Sequence, residues 1–303
     1  MTERHIRYSQ FASFKRCRRK WMLEYVQGLE LDRAPGVTKG ARDVGTLFHL
    51  GVEAYYKGDS WRIALDARQD ELSEGAVFSS EWADSFNLVR IMLEGYVEWV
   101  RRTGVDTSEE VLHVEPQLSA EFAEVRGDLI ILTGKPDLIV RDVLSDAVTL
   151  VDTKTVQSLT QVQNHAGQGL SYALLAKMQL DLDVTLFRTN QARKVKRTST
   201  AKPPFYGRAE MVVTPKHLET HRNHLLGQLD TMVELMQQWE EKGYSPRQDH
   251  DRLFYPNQEP TCDWQCDFLP VCKQMDDGSN FEHTIRNYYR HKPVYTPNIP
   301  ETE

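Results

Sequence analysis

The chain has 303 residues, of which 40% are hydrophobic and 27% are charged, a composition typical of a globular protein with a sizeable core. No apolar run approaches the ~20 residues of a membrane span, and the N-terminus lacks the apolar core of a signal peptide, so we expect a cytoplasmic, intracellular protein with no membrane partner. The net charge of −7 argues against indiscriminate nucleic-acid binding, so the distribution of the basic residues becomes the informative feature.

Helices and strands alternate in the predicted order of elements, which indicates an α/β protein. The first helix is predicted to begin after Ser9, a suitable N-cap, and to extend to about Val26. Further helices are predicted at about 45–55, 82–102, 162–180 and 214–243. Extended segments are predicted at 111–122, 128–140, 147–155, 184–189 and 206–213, the last two as a hairpin. We expect one domain over residues 1–280, with its core at about 40–215, followed by a polar tail at 281–303.

Basic residues are concentrated in two segments. Residues 1–28 carry seven lysines and arginines against two acidic residues, a net charge of +5. Residues 188–202 carry six basic residues and no acidic one. Solvated loops and helix faces would explain either segment alone, but an acidic chain with two such segments is compatible with a groove for a polyanion. The candidate contacts are Lys15, Arg16, Arg18, Arg19, Arg193, Lys194, Lys196 and Arg197.

Two carboxylates and a lysine interrupt apolar strands in the middle of the chain. Asp137 adjoins the apolar run 138–140, and Asp152 and Lys154 follow the run 148–151. Because side chains alternate faces along a strand, Asp152 and Lys154 point the same way and Thr153 points the opposite way. Burying these charges is costly unless a metal or a substrate satisfies them, although a structural ion pair near a strand end would also explain them. Two carboxylates and a lysine are the minimum set for phosphodiester cleavage with Mg²⁺ or Mn²⁺, to which the Thr153 carbonyl could be a further ligand.

The four cysteines have a one-plus-three layout. Cys17 lies near the start of the chain, and Cys262, Cys266 and Cys272 follow near the end with Cys-x3-Cys-x5-Cys spacing. Clustered thiols in an intracellular protein more often bind metal than form disulfides, and four thiolates suit either a tetrahedral zinc or an iron–sulfur cluster. Cys17 also falls on the apolar stripe of the first predicted helix, so a buried apolar thiol is its alternative interpretation.

Taken together, these motifs resemble the RecB-like branch of the PD-(D/E)XK nuclease superfamily. The match is to its iron–sulfur subgroup, which includes the AddB-type and CRISPR-associated exonucleases, and it spans roughly residues 8 to 275. Six elements occur in the family's order, namely Cys17 with the basic and aromatic residues after it, Gly45 to His49, Gly134 to Asp137, Asp152-Thr153-Lys154, Gln168 to Tyr172, and the cysteine trio. One departure is that three residues separate Cys262 from Cys266, where the family commonly has two.

The resemblance implies a fold and a cofactor set. The fold would be a restriction-endonuclease-like core, a central mixed sheet flanked by helices. The cofactors would be Mg²⁺ or Mn²⁺ and a [4Fe–4S] cluster that joins the N- and C-terminal segments through Cys17, Cys262, Cys266 and Cys272.

The resemblance also implies roles for individual residues. His49, Asp137 and Asp152 would ligate the divalent metal, with Lys154 beside the attacking water. Gln168 and Tyr172 would match the Gln-x-x-x-Tyr motif associated with DNA contact and support of the active site. Glu53 and Glu115 are either acids near the metal or solvated carboxylates.

We therefore expect a metal-dependent DNA nuclease, specifically an exonuclease that prefers single strands, in DNA recombination, repair or replication. The alternative is a catalytically silent, iron–sulfur or zinc-containing DNA-binding module of a larger complex, which the presence of both carboxylates and the lysine disfavours. A P-loop is excluded because Gly134-Lys135 is followed by Pro136, and position 129 is leucine. Any unwinding of DNA would need a helicase or recombination partner.

Overall fold

The computed structural model describes residues 1–33, 40–75, 79–160, 165–241 and 250–292, which form an α/β protein with mixed sheets, as predicted. The chain divides into two compact units. The first unit comprises Met1–Arg33, Ser119–Thr133 and Arg222–Glu303, and the second comprises Ala34–Leu118 and Gly134–His221. None of the helices in the described residues combines the length and the hydropathy that crossing a membrane requires.

The first unit is built around a three-stranded sheet of β1 (Glu3–Arg7), β5 (Asp128–Gly134) and β4 (Leu118–Val125), in which β5 is central. Strand β1 runs parallel to β5, with Ile6 opposite Leu132, and both side chains are buried. A second pair joins β2 (Leu29–Leu31) to β10 (Tyr289–His291) in antiparallel register. The helices of this unit are α1 (Tyr8–Arg16), α2 (Arg18–Trp21), a π-helix (Met22–Val26), α8 (His250–Leu253), α9 (Cys262–Gln265), α10 (Leu269–Asp277) and α11 (Phe281–Tyr288).

The second unit contains a five-stranded sheet in the order β3 (Glu109–Val114), β6 (Leu138–Asp142), β7 (Val148–Val156), β8 (Val184–Arg193) and β9 (Tyr206–Val212). Strand β7 is central, antiparallel to β6 and parallel to β8, and it is apolar and buried from Val148 to Val151. Helices α3 (Ala41–Tyr56), α4 (Trp61–Gly75), α5 (Ser80–Thr103) and α6 (Ala166–Leu180) belong to this unit, and α7 (Pro215–Glu241) follows β9.

Helix α5 shows how local sequence sets the bounds of an element. The Ser79 side chain accepts a hydrogen bond from the Trp82 backbone N–H, which caps the N-terminus. Gly104 ends the helix in the left-handed region at a φ of +66°, where glycine carries no steric penalty. Between these caps the apolar residues recur at helical spacing and are buried, as the sequence predicts.

The structure differs from the predicted elements in several places. The segment 128–140 forms two strands, β5 and β6, which belong to different sheets, because Lys135-Pro136 interrupts it and proline cannot donate a ladder hydrogen bond. Residues 281–291, expected in a polar tail, form α11 and β10, whereas 293–303 lie outside the described residues. Helix α4 and strand β1 were not predicted.

A further difference is at Cys17. The first helix was predicted to run unbroken to Val26, but Cys17 adopts an extended conformation between α1 and α2. Its Sγ accepts a hydrogen bond from the Lys20 backbone N–H at 3.4 Å, so the thiol acts as the N-cap of α2. Cys17 therefore lies at a break between helices, instead of on an uninterrupted helix face.

Gly169 permits α6 to approach β8 closely. A Cβ at this position would lie 2.3 Å from the ring of Phe187, which is fully buried. We expect Gly169→Ala to lower the free energy of unfolding by about 1–3 kcal/mol through overpacking. The control Gly227→Ala, at an exposed position of α7 with nothing within 4 Å of an added Cβ, should instead leave stability unchanged or raise it. Urea denaturation of both variants checks this, and equal effects would contradict the packing argument.

Candidate functional site

The pairing of β6 with β7 brings the two predicted carboxylates together. Leu138 lies opposite Val151 in this antiparallel pair, so Asp137, one residue before β6, faces Asp152 across the register. Asp137 Oδ2 accepts a hydrogen bond from the Thr153 backbone N–H at 2.5 Å and lies 3.2 Å from His49 Nδ1 on α3. Residues of α3 and β7 therefore contact the carboxylate of Asp137, which itself precedes β6.

Asp152 and Lys154 share one face of β7, as alternation predicts. Asp152 is 3% exposed, and its Oδ2 lies 2.6 Å from the Lys154 Nζ. This contact is a close ion pair between a buried carboxylate oxygen and the ammonium. Burial raises the pKa of Asp152 to about 6, and the charge of Lys154 opposes the rise.

His49 and Asp137 stabilise each other in their charged forms. Burial alone would favour the neutral form of both groups, but the hydrogen bond and charge of each partner outweigh it. The pKa of the His49 imidazole is therefore raised, and the pKa of the Asp137 carboxyl is lowered.

Glu115 joins the same cluster. Ligand atoms of His49, Glu115 and Asp137 all lie within 4.8 Å of one another, a group of donors that could hold a metal ion. Glu115 follows β3 at a φ of +52°, and its backbone N–H donates to the Asp137 carbonyl at 2.9 Å. Its carboxylate pairs with Lys135, while burial raises its pKa.

Glu53 is placed differently from Glu115. It lies one turn after His49 on α3, lines the same small cavity and pairs with Lys57 at 2.6 Å. Unlike Glu115, it is not among the ligand atoms that lie within 4.8 Å of one another in the described residues. The sequence singled out both acids without distinguishing them. The distinguishing fact is the pairing of β3 with β6, a contact between segments distant in sequence.

Helix α6 places Gln168 and Tyr172 beside Lys154. The Lys154 Nζ donates to the Gln168 amide oxygen at 3.2 Å, and the Gln168 amide nitrogen donates to the Tyr172 hydroxyl at 2.9 Å. Gly134 makes room for this arrangement, because a Cβ there would lie 2.8 Å from both Tyr172 and Leu175. Four of the predicted catalytic residues, Asp152, Lys154, Gln168 and Tyr172, thus form one chain of contacts within the second unit, and Asp137 adjoins this chain through the Thr153 N–H.

The four cysteines line one cavity of about 280 Å³ in the first unit. All four are free thiols of intermediate exposure. Burial raises the pKa of Cys266 and Cys272, so their thiolates need a compensating positive charge. In the described residues no three cysteine sulfurs lie within 4.8 Å of one another.

Nitrogen donors converge on these sulfurs. Cys17 accepts from the backbone N–H groups of Lys20 and Asn257, both at 3.4 Å. Cys262 accepts from the backbone N–H of Glu259 at 3.5 Å, and Cys266 accepts from the backbone of Phe268. Cys272 accepts from the guanidinium of Arg19 at 3.5 Å.

The basic residues of the N-terminal segment differ in environment. The Lys15 ammonium lies 5.9 Å from the Tyr8 ring, and the Arg18 guanidinium lies between the rings of Phe14 and Tyr255 at 5.2 and 5.0 Å. Arg16 donates to Thr261 and Gln265. Arg19 is buried and paired with Asp276 at 2.5 Å, so its guanidinium is not presented to DNA, which corrects the contact predicted for it.

The loop between β8 and β9 holds two of its arginines in internal contacts. Arg193 donates to the carbonyls of Lys202 and Pro204 at 2.9 and 3.0 Å, and Arg197 lies 3.9 Å from the Phe205 ring centroid. Lys196 is exposed with one 3.4 Å contact to Asp84, and burial lowers the pKa of Lys194. Lys196 is therefore the freest of the four predicted DNA contacts in this loop.

Comparison with known proteins yields one family match. The model of the PD-(D/E)XK nuclease superfamily matches residues 5–273. No curated protein sequence matches the chain.

Two solved structures are similar to this chain at 12% sequence identity. An inferred exonuclease from Eubacterium rectale has a TM-score of 0.47, with 96% of this chain and 91% of that chain covered. An alkaline exonuclease from Laribacter hongkongensis has a TM-score of 0.28, with 78% of this chain and all of that chain covered. Both TM-scores are below 0.5, so the family match alone assigns the chain.

Proposed function

The chain belongs to the PD-(D/E)XK nuclease superfamily, and we propose that it is a metal-dependent deoxyribonuclease, an exonuclease that prefers single-stranded DNA. The observation that carries the proposal is the grouping of His49, Glu115 and Asp137, whose ligand atoms lie within 4.8 Å of one another, with the ion pair of Asp152 and Lys154 on the adjacent strand β7. The preference for ends and single strands rests on the resemblance to AddB-type and CRISPR-associated exonucleases.

The donor set fits a divalent metal. It combines carboxylates with one imidazole, a chemistry suited to Mg²⁺ and more so to Mn²⁺. His49, Asp137 and Asp152 would hold the ion, with Glu115 and the Thr153 carbonyl as further ligands. When bound, the ion would supply a Lewis acid for the scissile phosphate and lower the pKa of a water molecule.

The remaining residues act on the water and the phosphate. Lys154 can orient the attacking water and stabilise the negative charge that develops on the phosphate, because its ammonium lies beside the Asp152 carboxylate. Gln168 holds Lys154, and Tyr172 holds Gln168, so both are positioning residues. This set of contacts disfavours the alternative of a catalytically silent module.

The cysteine cavity supports the second proposed cofactor, a [4Fe–4S] cluster held by Cys17, Cys262, Cys266 and Cys272. A single zinc with Zn–S bonds of ~2.3 Å would place its sulfurs roughly 4 Å apart. In the described residues no three of the cysteine sulfurs lie within 4.8 Å of one another, and N–H groups donate to these sulfurs, as they do at iron–sulfur sites. Membership of the RecB-like iron–sulfur subgroup is part of this proposal and rests on the resemblance of the motifs.

A digestion assay tests the nuclease proposal. Single-stranded and duplex DNA of one sequence, labelled at either end, would be incubated with Mg²⁺, Mn²⁺ or EDTA, alongside a circular single strand. We expect metal-dependent loss of the linear single strand and survival of the circle. Cleavage of the circle would contradict the exonuclease assignment, and inactivity with every substrate and metal would contradict the nuclease.

The loop between β8 and β9 provides a test of backbone recognition. We expect Lys196→Ala to weaken DNA binding modestly and to reduce its salt dependence by about one counterion, because an exposed lysine that neutralises a phosphate releases a counterion. The control Lys216→Ala removes an exposed lysine at the start of α7, which pairs with Glu219. Fluorescence anisotropy at several salt concentrations measures both slopes. Identical slopes would mean that Lys196 makes no phosphate contact.

A further inference from the structure

Arg19 is a buried cation beside the cysteine cavity. Its side chain belongs to α2, two residues after Cys17, and the residue is 1% exposed. The Nε donates to the Phe254 carbonyl at 3.3 Å. The Nη1 donates to the Cys272 carbonyl at 3.3 Å and to the Cys272 Sγ at 3.5 Å, and it pairs with Asp276 at 2.5 Å.

The charge of Arg19 is permanent. A guanidinium stays protonated in proteins, so burial cannot be relieved by loss of its proton. Among its described partners, the Asp276 side chain is 40% exposed, and Cys272 would carry a negative charge as a thiolate ligand of the cluster. Four thiolates would give a bound iron–sulfur cluster a net negative charge on the side of the cavity that Arg19 faces.

We propose that Arg19 is the counter-ion of the cysteine-bound cluster and raises the cluster's reduction potential. The inference rests on the proposed [4Fe–4S] cofactor. A hydrogen bond to a ligating sulfur and a nearby positive charge both stabilise the reduced cluster, which is the more negative state, over the oxidised one. Arg18, the preceding residue, stacks between Phe14 and Tyr255 and has no such role.

The test compares variants that change the charge near the cluster in opposite directions. Full-length protein purified without oxygen would be assayed for iron and for its midpoint potential by spectroscopic titration. Arg19→Gln should shift the midpoint potential to more negative values. A tenfold weaker preference for the reduced cluster corresponds to a shift of about 59 mV in this one-electron couple. Asp276→Asn removes the opposing charge and should shift it to more positive values, while the control Arg18→Gln should leave it unchanged.

Each failure identifies a different error. An iron-loaded Arg19→Gln protein with the parent potential would overturn the role of Arg19 while leaving the cluster in place. A parent protein with zinc and no iron would overturn the proposed cofactor and this inference with it. If Arg19→Gln loses its iron, Arg19→Lys, which keeps the charge, should retain it. Equal loss of iron in both would overturn the inference by showing that the arginine shape, not its charge, is required.

Discussion

Replacing Lys154 by alanine should lower the rate of DNA cleavage by about 10²–10³-fold or more, the cost of removing a group that stabilises charge in the transition state. The Lys154 ammonium contacts Asp152 at 2.6 Å and Gln168 at 3.2 Å, so it is held in place before any substrate arrives. Asp152→Ala should abolish cleavage as well, because it removes a proposed ligand of the metal. Single-turnover digestion of a labelled single strand measures both losses.

The controls separate catalysis from folding and DNA binding. Lys177→Ala removes an exposed lysine at the C-terminal end of α6, where it pairs with Asp181 and Asp183 away from the cluster, and should leave the rate unchanged. Lys154→Ala protein should fold and bind DNA with similar affinity, but its unfolding temperature should fall because the buried Asp152 carboxylate loses its ion-pair partner. A Lys154→Ala protein that cleaves at the parent rate would show that Lys154 and Asp152 form only a structural ion pair.

The part of the site that depends on local rules was predictable. Alternation along a strand placed Asp152 and Lys154 on one face, and helical spacing placed Gln168 one turn from Tyr172. Both relations need only the residues between the partners, so they do not depend on how distant segments pack.

The part of the site that depends on distant contacts was not predictable. Glu115 reaches the cluster because β3 pairs with β6, and nothing in the residues around Glu115 distinguishes it from Glu53. Arg18 and Arg19 are neighbours of identical chemistry, yet one stacks on aromatic rings and the other is buried at the cysteine cavity. Both arginines belong to the short helix α2, which begins after the break at Cys17.

The prediction of strands was wrong at one point where the chain passes from one sheet to another. Residues 128–140 have the composition of one long strand, but Lys135-Pro136 divides them into strands of two different sheets. Asp137 follows this interruption directly, one residue before β6, and its carboxylate accepts the Thr153 N–H.

Loss of one cysteine should have the largest effect on stability. Cys17 comes from the break after α1, whereas Cys262, Cys266 and Cys272 come from α9, α10 and the segment between them. A cluster bound by all four would tie these segments together, and the free energy of metal binding would become free energy of folding. Cys272→Ala should therefore lose the brown colour and most of the about four irons expected per chain for this type of cluster.

The same substitution should lower the thermal unfolding temperature. At about 2–4 °C per kcal/mol for a protein larger than 150 residues, a loss of several kcal/mol corresponds to a fall of roughly 10 °C or more. Met275→Leu, a volume-conserving change in the same helix, is the matched control and should retain both iron and stability. Iron content and scanning calorimetry on protein purified without oxygen test the prediction. Full iron and an unchanged unfolding temperature in Cys272→Ala would show that Cys272 is an ordinary half-buried side chain. The cavity would then hold no four-cysteine cluster.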